Sequence, residues 1–283
     1  MKLNNGNNIP VVGLGTWLID DSKVADVIKT SVKLGYRHID TAQAYGNEVG
    51  VGKGIKECGI KREELYVTTK VRAELKDYRS AYNSVIESLR KLDLDYVDLI
   101  LIHSPEPWME FRTSGKDYYK ENLDVWHALE DLYKEGKVKA IGVSNFHIND
   151  LDNLIENGNI KPMVNQVLAH VGQVPFELVK YCNDHDILVE AYSPIAHGEA
   201  SRLDMVNELG DKYNKTFAQI CLKYLIQLGM VVLPKASSEA HLKNNIDLDF
   251  VISDEDMEIL KKVKPLSDYG KDDFFPVFKQ SGK

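Results

Sequence analysis

Four side chains with acid–base chemistry lie at the ends of short apolar stretches of the chain. Asp40 and Tyr45 lie in GYRHIDTAQAYGNE, Lys70 ends VTTK, and His103 ends LILIH. Asp40, Lys70 and His103 each follow β-branched or apolar residues, so each is expected at the end of a strand. A carboxylate, a phenol, an ammonium and an imidazole held together can form an acid whose strength is set by its neighbours.

The phenol of Tyr45 can serve as that acid if its neighbours tune it. Tyrosine titrates at about 10, and an ammonium about 4 Å away contributes roughly 4 kcal/mol at an effective dielectric near 20, or as much as about three pK units. Lys70 is therefore expected to bring the phenol pKa towards working pH, since a cation favours the phenolate. Asp40 would hold Lys70, and His103 would donate to the oxygen that Tyr45 protonates. This set predicts carbonyl reduction, with a hydride supplied by a cofactor.

Eight short apolar stretches predict the strands of a parallel sheet that is covered on both faces. They are VVGLGTW from Val11, YRHIDT from Tyr36, LYVTTKV from Leu65, VDLILIH from Val97, VKAIGVSN from Val138, PMVNQV from Pro162, ILVEAYS from Ile187 and MVVLPKA from Met230. Helix-length segments separate them, such as DSKVADVIKTSVKLG, which ends at the helix-stop residue Gly35. Eight such units predict a (β/α)8 TIM barrel, whose usual length is about 250 residues and whose site lies at the C-terminal ends of the strands.

The alternative fold is an open doubly wound sheet, which usually carries a glycine motif in its first βα turn. The first strand gives GLGTW, without the third glycine. A second glycine run, GVGKG from Gly50, has no Ser or Thr after Lys53 and lies within a helical segment, so it indicates helix packing rather than a phosphate loop. We predict one barrel domain, residues 1–283, with a C-terminal tail, 264–283, that folds near the site.

Polar or aromatic residues end all eight predicted strands. They are Thr16 and Trp17, Asp40, Lys70, His103, Ser144 and Asn145, Gln166, Tyr192 and Ser193, and Lys235. Any one of them has a structural interpretation: Asp40 could cap a helix, Lys70 could end its strand in solvent, and His103 could be an ordinary loop histidine. Eight such ends on one face of a barrel are better explained by a binding site.

Composition limits the partners. The chain of 283 residues has 35 Lys and Arg against 43 Asp and Glu, a net charge of −8, which argues against nucleic acid or an anionic membrane as the main partner. No apolar run approaches the roughly 18 residues of a membrane span, and MKLNNGNNIP at the start lacks the apolar core of a signal peptide. Three cysteines without CxxC spacing indicate reduced thiols. These features predict a cytoplasmic protein.

Two other chemistries are disfavoured by the motifs. The eight histidines form no HxxxH or HxH pair and have no acidic cluster beside them, so no metal site is predicted. There is also no GxSxG stretch, which disfavours a serine hydrolase.

Taken in order, these motifs resemble those of the aldo-keto reductase family. The strongest part is GYRHIDTAQAYGNEVGVG from Gly35, which fits the family signature around the catalytic aspartate and tyrosine. GLGTW precedes it, and VTTK, LILIH, GVSNF, NQV, AYSP and LPK follow in family order. The resemblance therefore covers almost the whole chain, as far as the DFFPVF stretch of the tail.

The resemblance implies a role for each matched residue. Tyr45 would be the general acid, tuned by Lys70 and Asp40, and His103 would orient the carbonyl group. The implied cofactor contacts are Ser144, Asn145 and Gln166 at the nicotinamide carboxamide, Tyr192 on its ring, Ser193 at the pyrophosphate, and Lys235, His241 and Asn245 at the adenosine end. Trp17 and Trp108 would line the substrate pocket.

Several regions depart from the family pattern, among them His170-Val171 where the family has a histidine-proline pair, and two of the departures bear on the substrate and the cofactor. Ser104 follows the catalytic histidine where the family usually has tryptophan, so one aromatic wall is missing, and Trp108 or Phe111 is a candidate to replace it. At the adenosine end, His241 stands where the family usually has arginine. Because an imidazole with a pKa near about 6.5 is mostly neutral above pH 7, the preference for NADPH is expected to be weaker than in the family. Lys243 is an alternative second cation.

We therefore predict an NAD(P)H-dependent reductase of small to medium aldehydes or ketones, acting as a monomer. NADPH would be the preferred cofactor and NADH a weaker one. The rival hypothesis is a protein of the same fold that binds the cofactor without turnover. The intact set of Asp40, Tyr45, Lys70 and His103 favours the enzyme.

Overall fold

The computed structural model of the chain describes residues 1–271 and 273–279. Its eight strands lie side by side in chain order, each parallel to the next. They are β1 Leu14–Gly15, β2 His38–Asp40, β3 Tyr66–Val71, β4 Leu99–Ile102, β5 Ile141–Ser144, β6 Val164–Leu168, β7 Leu188–Tyr192 and β8 Val231–Leu233. All eight predicted stretches thus contain a strand.

The sheet closes on itself between β8 and β1. Val12 pairs with Val232, and Gly15 pairs with Lys235, in parallel bridges. The backbone N–H of Gly13 also donates to the carbonyl oxygen of Val232 at 2.9 Å. The predicted (β/α)8 barrel is confirmed. Its first strand is shorter than VVGLGTW predicts, because the flanking residues pair only through these isolated bridges.

Helices cover the outside of the barrel. They are α1 Asp21–Leu34, α2 Glu48–Glu57, α3 Tyr78–Leu92, α4 Tyr119–Lys134, α5 Ile148–Asn157, α6 Phe176–Asp184, α7 Asp204–Tyr213, α8 Phe217–Gln227, α9 Glu239–Ile246, α10 Asp254–Lys261 and α11 Pro276–Lys279. Helix α1 begins where the Asp20 carboxylate accepts the backbone N–H of Ser22, and it ends at Gly35, which has a left-handed φ of 110°. An aspartate before the first turn and a glycine after the last one are common helix start and stop residues, so the sequence itself determines both ends of α1.

The GVGKG run lies inside α2 and allows close packing of the neighbouring helices. A Cβ atom at Gly50 would lie 2.1 Å from the carbonyl oxygen of Asp21, and one at Gly52 would lie 2.2 Å from that of Leu92. Only glycine therefore lets α2 approach α1 and α3 this closely. The helix-packing interpretation of this run is confirmed.

The N-terminal segment covers the end of the barrel at which the strands begin. The Asn4 amide donates to the carbonyl oxygens of Pro162 and Asp186, and the Asn5 and Asn7 amides both donate to that of Lys139. These carbonyl groups precede β5, β6 and β7. The opposite end, where the strands finish, is left to the loops that carry the candidate site residues.

The described part of the tail lies over that opposite end. The Phe275 and Phe278 rings are each 5.7 Å from the Trp17 ring. Asp272 and residues 280–283, which belong to the predicted tail 264–283, lie outside the described residues. Among the helices that the structure describes, none is long and apolar enough to cross a membrane.

Candidate active site

Lys70 and Asp40 form a buried ion pair at the C-terminal end of the barrel. The Lys70 Nζ atom lies 2.8 and 2.6 Å from the two carboxylate oxygens of Asp40. It also donates to the carbonyl oxygen of Thr41 at 2.9 Å and to the phenol oxygen of Tyr45 at 3.3 Å. The structure therefore brings together Asp40, Tyr45 and Lys70, three of the four residues predicted to form the acid.

The loop after β2 places Tyr45 over this pair. Tyr45 ends a short 3-10 helix, Gln43–Tyr45, and Gly46 follows it in the left-handed conformation with a φ of 69°. Asn47 fixes the loop, because its side chain accepts from the Thr41 hydroxyl and donates to the carbonyl oxygen of Thr16. The small-residue stretch between Asp40 and Tyr45 thus turns the chain sharply enough to return the phenol to Lys70.

The ammonium of Lys70 is kept charged by its neighbours. Burial alone would lower the pKa of Lys70, but its interactions with neighbouring groups, chiefly the Asp40 carboxylate, outweigh burial and raise it. A buried charge that is paired and fully hydrogen-bonded is tolerated, whereas an unpaired one is not. Lys70 is therefore a fixed positive charge beside the phenol.

The pKa of Tyr45 departs from the sequence expectation. Lys70 lowers it, as predicted, but burial raises it more and Asp40 also raises it, so the pKa of the phenol lies above its ordinary value. The expectation that Lys70 brings the phenol towards working pH is wrong for this structure. Tyr45 is instead a protonated phenol at neutral pH, with its proton available for transfer.

His103 follows β4 and lies beside the phenol. Its ring is 5.8 Å from the Tyr45 ring in an edge-on arrangement. Burial and the charge of Lys70 hold the pKa of His103 well below its ordinary value, so the imidazole is neutral. Its Nδ1 atom is buried and has no hydrogen-bond partner among the described residues. Because a buried N–H without an acceptor is costly, the tautomer with the proton on Nε2 is favoured.

A second polar group lines the ends of β5, β6 and β7. The Tyr192 hydroxyl donates to the amide oxygen of Asn145 at 2.7 Å. The Asn145 amide nitrogen donates to the Ser144 hydroxyl and to the carbonyl oxygen of His103, each at 3.1 Å. The Ser144 hydroxyl in turn donates to the backbone of Gln166 at 2.8 Å. The four residues expected at a nicotinamide are thus connected to one another and to the backbone of His103.

The residues expected at the phosphate groups are more scattered. Lys235 and His241 are both exposed, one after β8 and the other in the first turn of α9. Asn245, by contrast, is buried and hydrogen-bonds the phenol of Tyr36. Ser193, after β7, lies 3.0 Å from the Nε2 atom of His197. Lys235 and His241 are therefore the most exposed side chains of this group, Ser193 is half-exposed, and Asn245 is buried.

Comparison with known proteins identifies the group to which this barrel belongs. The model of the Aldo/keto reductase family matches residues 11–265. The chain belongs to this family. Among curated proteins, the glyoxal reductase of Bacillus subtilis (strain 168) is 44% identical over 260 residues, covering 91% of this chain and 90% of the relative.

Solved structures give the same result. An aldo-keto reductase from a Medee basin deep-sea metagenome library is 39% identical, with a TM-score of 0.87 and 93% and 94% of the two chains covered. An aldo-keto reductase complexed with NADPH is 35% identical, with a TM-score of 0.85 and 93% and 87% covered. The chain is an NAD(P)H-dependent oxidoreductase of the aldo-keto reductase family.

In this aldo-keto reductase the Trp108 ring packs among His103, Phe111 and Phe275. Ser104 is fully buried, and the Trp108 ring lies edge-on to His103 at 5.3 Å. Phe111 lies 5.7 Å from Trp108 and is itself buried. On its other side Trp108 contacts Phe275 at 5.7 Å. Of the two candidates, Trp108 is therefore the one whose ring contacts His103, and Phe111 packs against Trp108.

Arg112 fastens the loop that carries Trp108 to the aldo-keto reductase barrel. Its guanidinium donates hydrogen bonds to the carboxylates of Glu106 at 2.9 Å and Asp150 at 2.6 Å. It also donates to the carbonyl oxygen of Asn145 at 3.3 Å. Arg112 was not predicted from the sequence, because no spacing pattern connects a loop arginine to partners on two other segments.

Glu190 is a second residue near the site that was not predicted from the sequence. It lies in β7 of the aldo-keto reductase barrel, is fully buried, and accepts a hydrogen bond from the Gln166 amide at 2.9 Å. Burial and the nearby Asp40 raise the pKa of Glu190 to about 8. The sequence feature that could have indicated this residue is that Glu190 is the only acidic residue within the apolar stretch ILVEAYS.

Proposed function

We propose that this aldo-keto reductase reduces aldehydes and ketones to alcohols with NADPH, and that Tyr45 is the general acid. The observation that carries this proposal is the contact of a buried, charged Lys70 with both Asp40 and the Tyr45 phenol. The arrangement supplies one proton donor without a nucleophile. Carbonyl reduction requires such a donor for the oxygen atom.

The proton moves from the Tyr45 hydroxyl to the carbonyl oxygen as negative charge develops there. His103 would bind the same oxygen through its Nε2–H, because the neutral imidazole has its other nitrogen buried. Two donors aimed at one oxygen stabilise the developing charge. When bound, NADPH supplies the hydride to the carbonyl carbon.

Lys70 acts on the phenolate that remains after proton transfer. Its ammonium is 3.3 Å from the phenol oxygen, so it stabilises that anion more than it stabilises the neutral phenol. Asp40 keeps the ammonium in place through contacts with both of its carboxylate oxygens. Interactions that strengthen in the transition state are the ones that accelerate the reaction.

The residues on the cofactor side fit a nicotinamide. Within the part of the chain that the structure describes, the Gln166 side-chain oxygen has no hydrogen-bond partner, whereas its nitrogen has two. That oxygen can accept an N–H of a carboxamide. Lys235 and the backbone N–H groups at the start of α9 suit a phosphate group. We propose NADPH as the preferred cofactor, with NADH binding more weakly.

The proposed substrates are small to medium aldehydes and ketones with one apolar face. Trp108 beside His103, with Trp17 and Phe275 nearby, supports an aromatic wall on one side of the reacting carbonyl. The similarity to a glyoxal reductase adds 2-oxoaldehydes to the substrates worth testing. Monomeric state and cytoplasmic location remain predictions from the sequence.

The proposal is tested with the purified protein, NADPH and three carbonyl compounds: glyoxal, methylglyoxal and 4-nitrobenzaldehyde. The expected result is stoichiometric conversion of NADPH and the aldehyde into NADP and the alcohol, with 4-nitrobenzaldehyde reduced at the highest kcat/KM because of the aromatic wall. NADPH binding without oxidation by any of the three would instead support the non-catalytic alternative.

A further inference from the structure

The interior of the barrel contains a carboxyl group that the proposed reaction does not use. Glu190 is fully buried in β7. Its Oε2 atom accepts from the amide nitrogen of Gln166 at 2.9 Å. The same nitrogen donates to the Oδ1 atom of Asp40, also at 2.9 Å. One amide group thus bridges the carboxyl of Glu190 and the ion pair beneath the catalytic tyrosine.

This bridge fixes which way round the Gln166 amide lies. Both hydrogens of an amide nitrogen are used when it donates to two carboxyl oxygens. Turning the amide over would set its oxygen against the Asp40 carboxylate, so two acceptors would face each other without a hydrogen between them, and Glu190 Oε2 would lose the amide hydrogen that it accepts. The Asp40 carboxylate and the acceptor oxygen of Glu190 therefore both favour the orientation with the amide oxygen free. That oxygen is the atom that would bind a carboxamide.

We propose that Glu190 is a positioning residue for the cofactor: through Gln166, it holds the amide oxygen that receives the nicotinamide carboxamide. This inference rests on the proposed function, in which Gln166 contacts the nicotinamide. Glu190 itself would touch neither substrate nor cofactor. The bridge also connects the cofactor side of the site to Asp40, and thereby to Lys70 and the general acid.

A buried carboxyl group at this place is costly, which argues that it has a purpose. Its second oxygen, Oε1, has no hydrogen-bond partner among the described residues and lies 3.9 Å from the Nε2 atom of the neutral His38, and β7 is otherwise built from apolar and aromatic residues. An apolar side chain of similar size would pack there at less cost. The acceptor that Glu190 offers to Gln166 is what an apolar residue would not provide.

The surroundings keep Glu190 from disturbing the ion pair. The charged and titratable groups near it are Asp40 and His38 on β2 and Lys70 and Tyr66 on β3. Burial holds the pKa of His38 at about 3, so that imidazole is neutral. With Glu190 protonated at neutral pH, the charge of Lys70 is balanced by Asp40 alone. Glu190 can therefore position Gln166 without adding a second negative charge.

Two substitutions separate positioning from simple packing. Glu190→Met keeps the length of the side chain and removes the acceptor, whereas Glu190→Gln keeps an acceptor oxygen. We expect Glu190→Met to weaken NADPH binding by about three- to tenfold, the equivalent of one lost hydrogen bond. Glu190→Gln should stay within about twofold of the wild type. The Kd is measured by isothermal titration calorimetry without substrate.

Thermal unfolding provides the control. Because removing a buried carboxyl often does not destabilise a protein, the unfolding temperature of Glu190→Met is expected to be equal to or above that of the wild type, although its NADPH binding is weaker. Unchanged NADPH affinity in a folded Glu190→Met variant overturns the inference. If this variant does not fold, Glu190→Val gives the same comparison, since a β-branched residue suits the strand and also lacks the acceptor.

A double-mutant cycle with Gln166→Leu tests whether the effect passes through Gln166. In the Gln166→Leu background, Glu190→Met should have no further effect on the Kd for NADPH, because the amide that it positions is gone. Full additivity of the two effects overturns the inference. If Gln166→Leu alone leaves NADPH affinity unchanged, the role of Gln166 in the proposed function is wrong instead.

Discussion

The ammonium of Lys70 lies 2.6 Å from the nearer carboxylate oxygen of Asp40, and both residues are buried. A pair of this kind contributes little net stability, because desolvation offsets much of the attraction between the charges. Its value here lies in the fixed positive charge that it places 3.3 Å from the Tyr45 phenol. Stability and catalysis can therefore be separated by substitution.

The first prediction concerns this pair. Lys70→Met should lower the free energy of unfolding by about 3–5 kcal/mol, since it leaves the Asp40 carboxylate buried without its partner. The double variant Asp40→Asn with Lys70→Met should recover much of that loss. Both variants should lack reductase activity, because neither has the Lys70 charge beside the phenol. Urea unfolding and steady-state kinetics on the same samples measure the two effects. A double variant that regains activity together with stability would show that the pair is only structural.

The second prediction concerns the pH dependence of stability. The pKa of Glu190 is raised to about 8 in the folded protein, above its value of about 4.3 in an unfolded chain. Between these values the folded state binds more protons, so Glu190 lowers stability as the pH rises from about 5 to 8. Glu190→Gln removes this dependence. Its advantage over the wild type should therefore increase from pH 5 to pH 8, to a few kcal/mol at most. Parallel stability curves over this range would contradict the raised pKa.

The sequence predicts the barrel well because its strands are buried on both faces. Each strand therefore appears as a near-continuous apolar run, and its polar end marks the site. The balance of forces within the site is less predictable. The Lys70 effect on Tyr45 has the predicted sign, but burial of the phenol outweighs it. The bridge from Gln166 to Asp40 joins residues 126 positions apart, which no local pattern predicts.

The third prediction concerns the substrate pocket. Trp108→Ala should reduce kcat/KM for 4-nitrobenzaldehyde by roughly tenfold or more, the usual effect of losing an apolar contact in a binding pocket. The neighbouring Met109 is 89% exposed, so Met109→Ala is a matched control and should have little effect. A panel of aryl and short aliphatic aldehydes measures the change. Equal effects of the two variants would mean that Trp108 does not line the pocket.

The fourth prediction concerns the choice of cofactor. His241 is exposed in the first turn of α9, where an arginine could form a charge-assisted hydrogen bond with a 2′-phosphate. His241→Arg should tighten NADPH binding by about 1–2 kcal/mol and leave NADH nearly unchanged. Lys243→Gln is the control for the alternative second cation. If Lys243→Gln weakens NADPH and His241→Arg has no effect, the second charge comes from Lys243.

The central claim is that the Tyr45 hydroxyl donates the proton to the carbonyl oxygen. Single-turnover oxidation of bound NADPH by 4-nitrobenzaldehyde in the Tyr45→Phe variant tests it most directly, since product release does not limit that rate. The rate constant should fall by about two to four orders of magnitude, the range of general acid catalysis, while the Kd for NADPH changes little. A Tyr45→Phe enzyme that keeps more than about a tenth of the wild-type single-turnover rate would contradict the account.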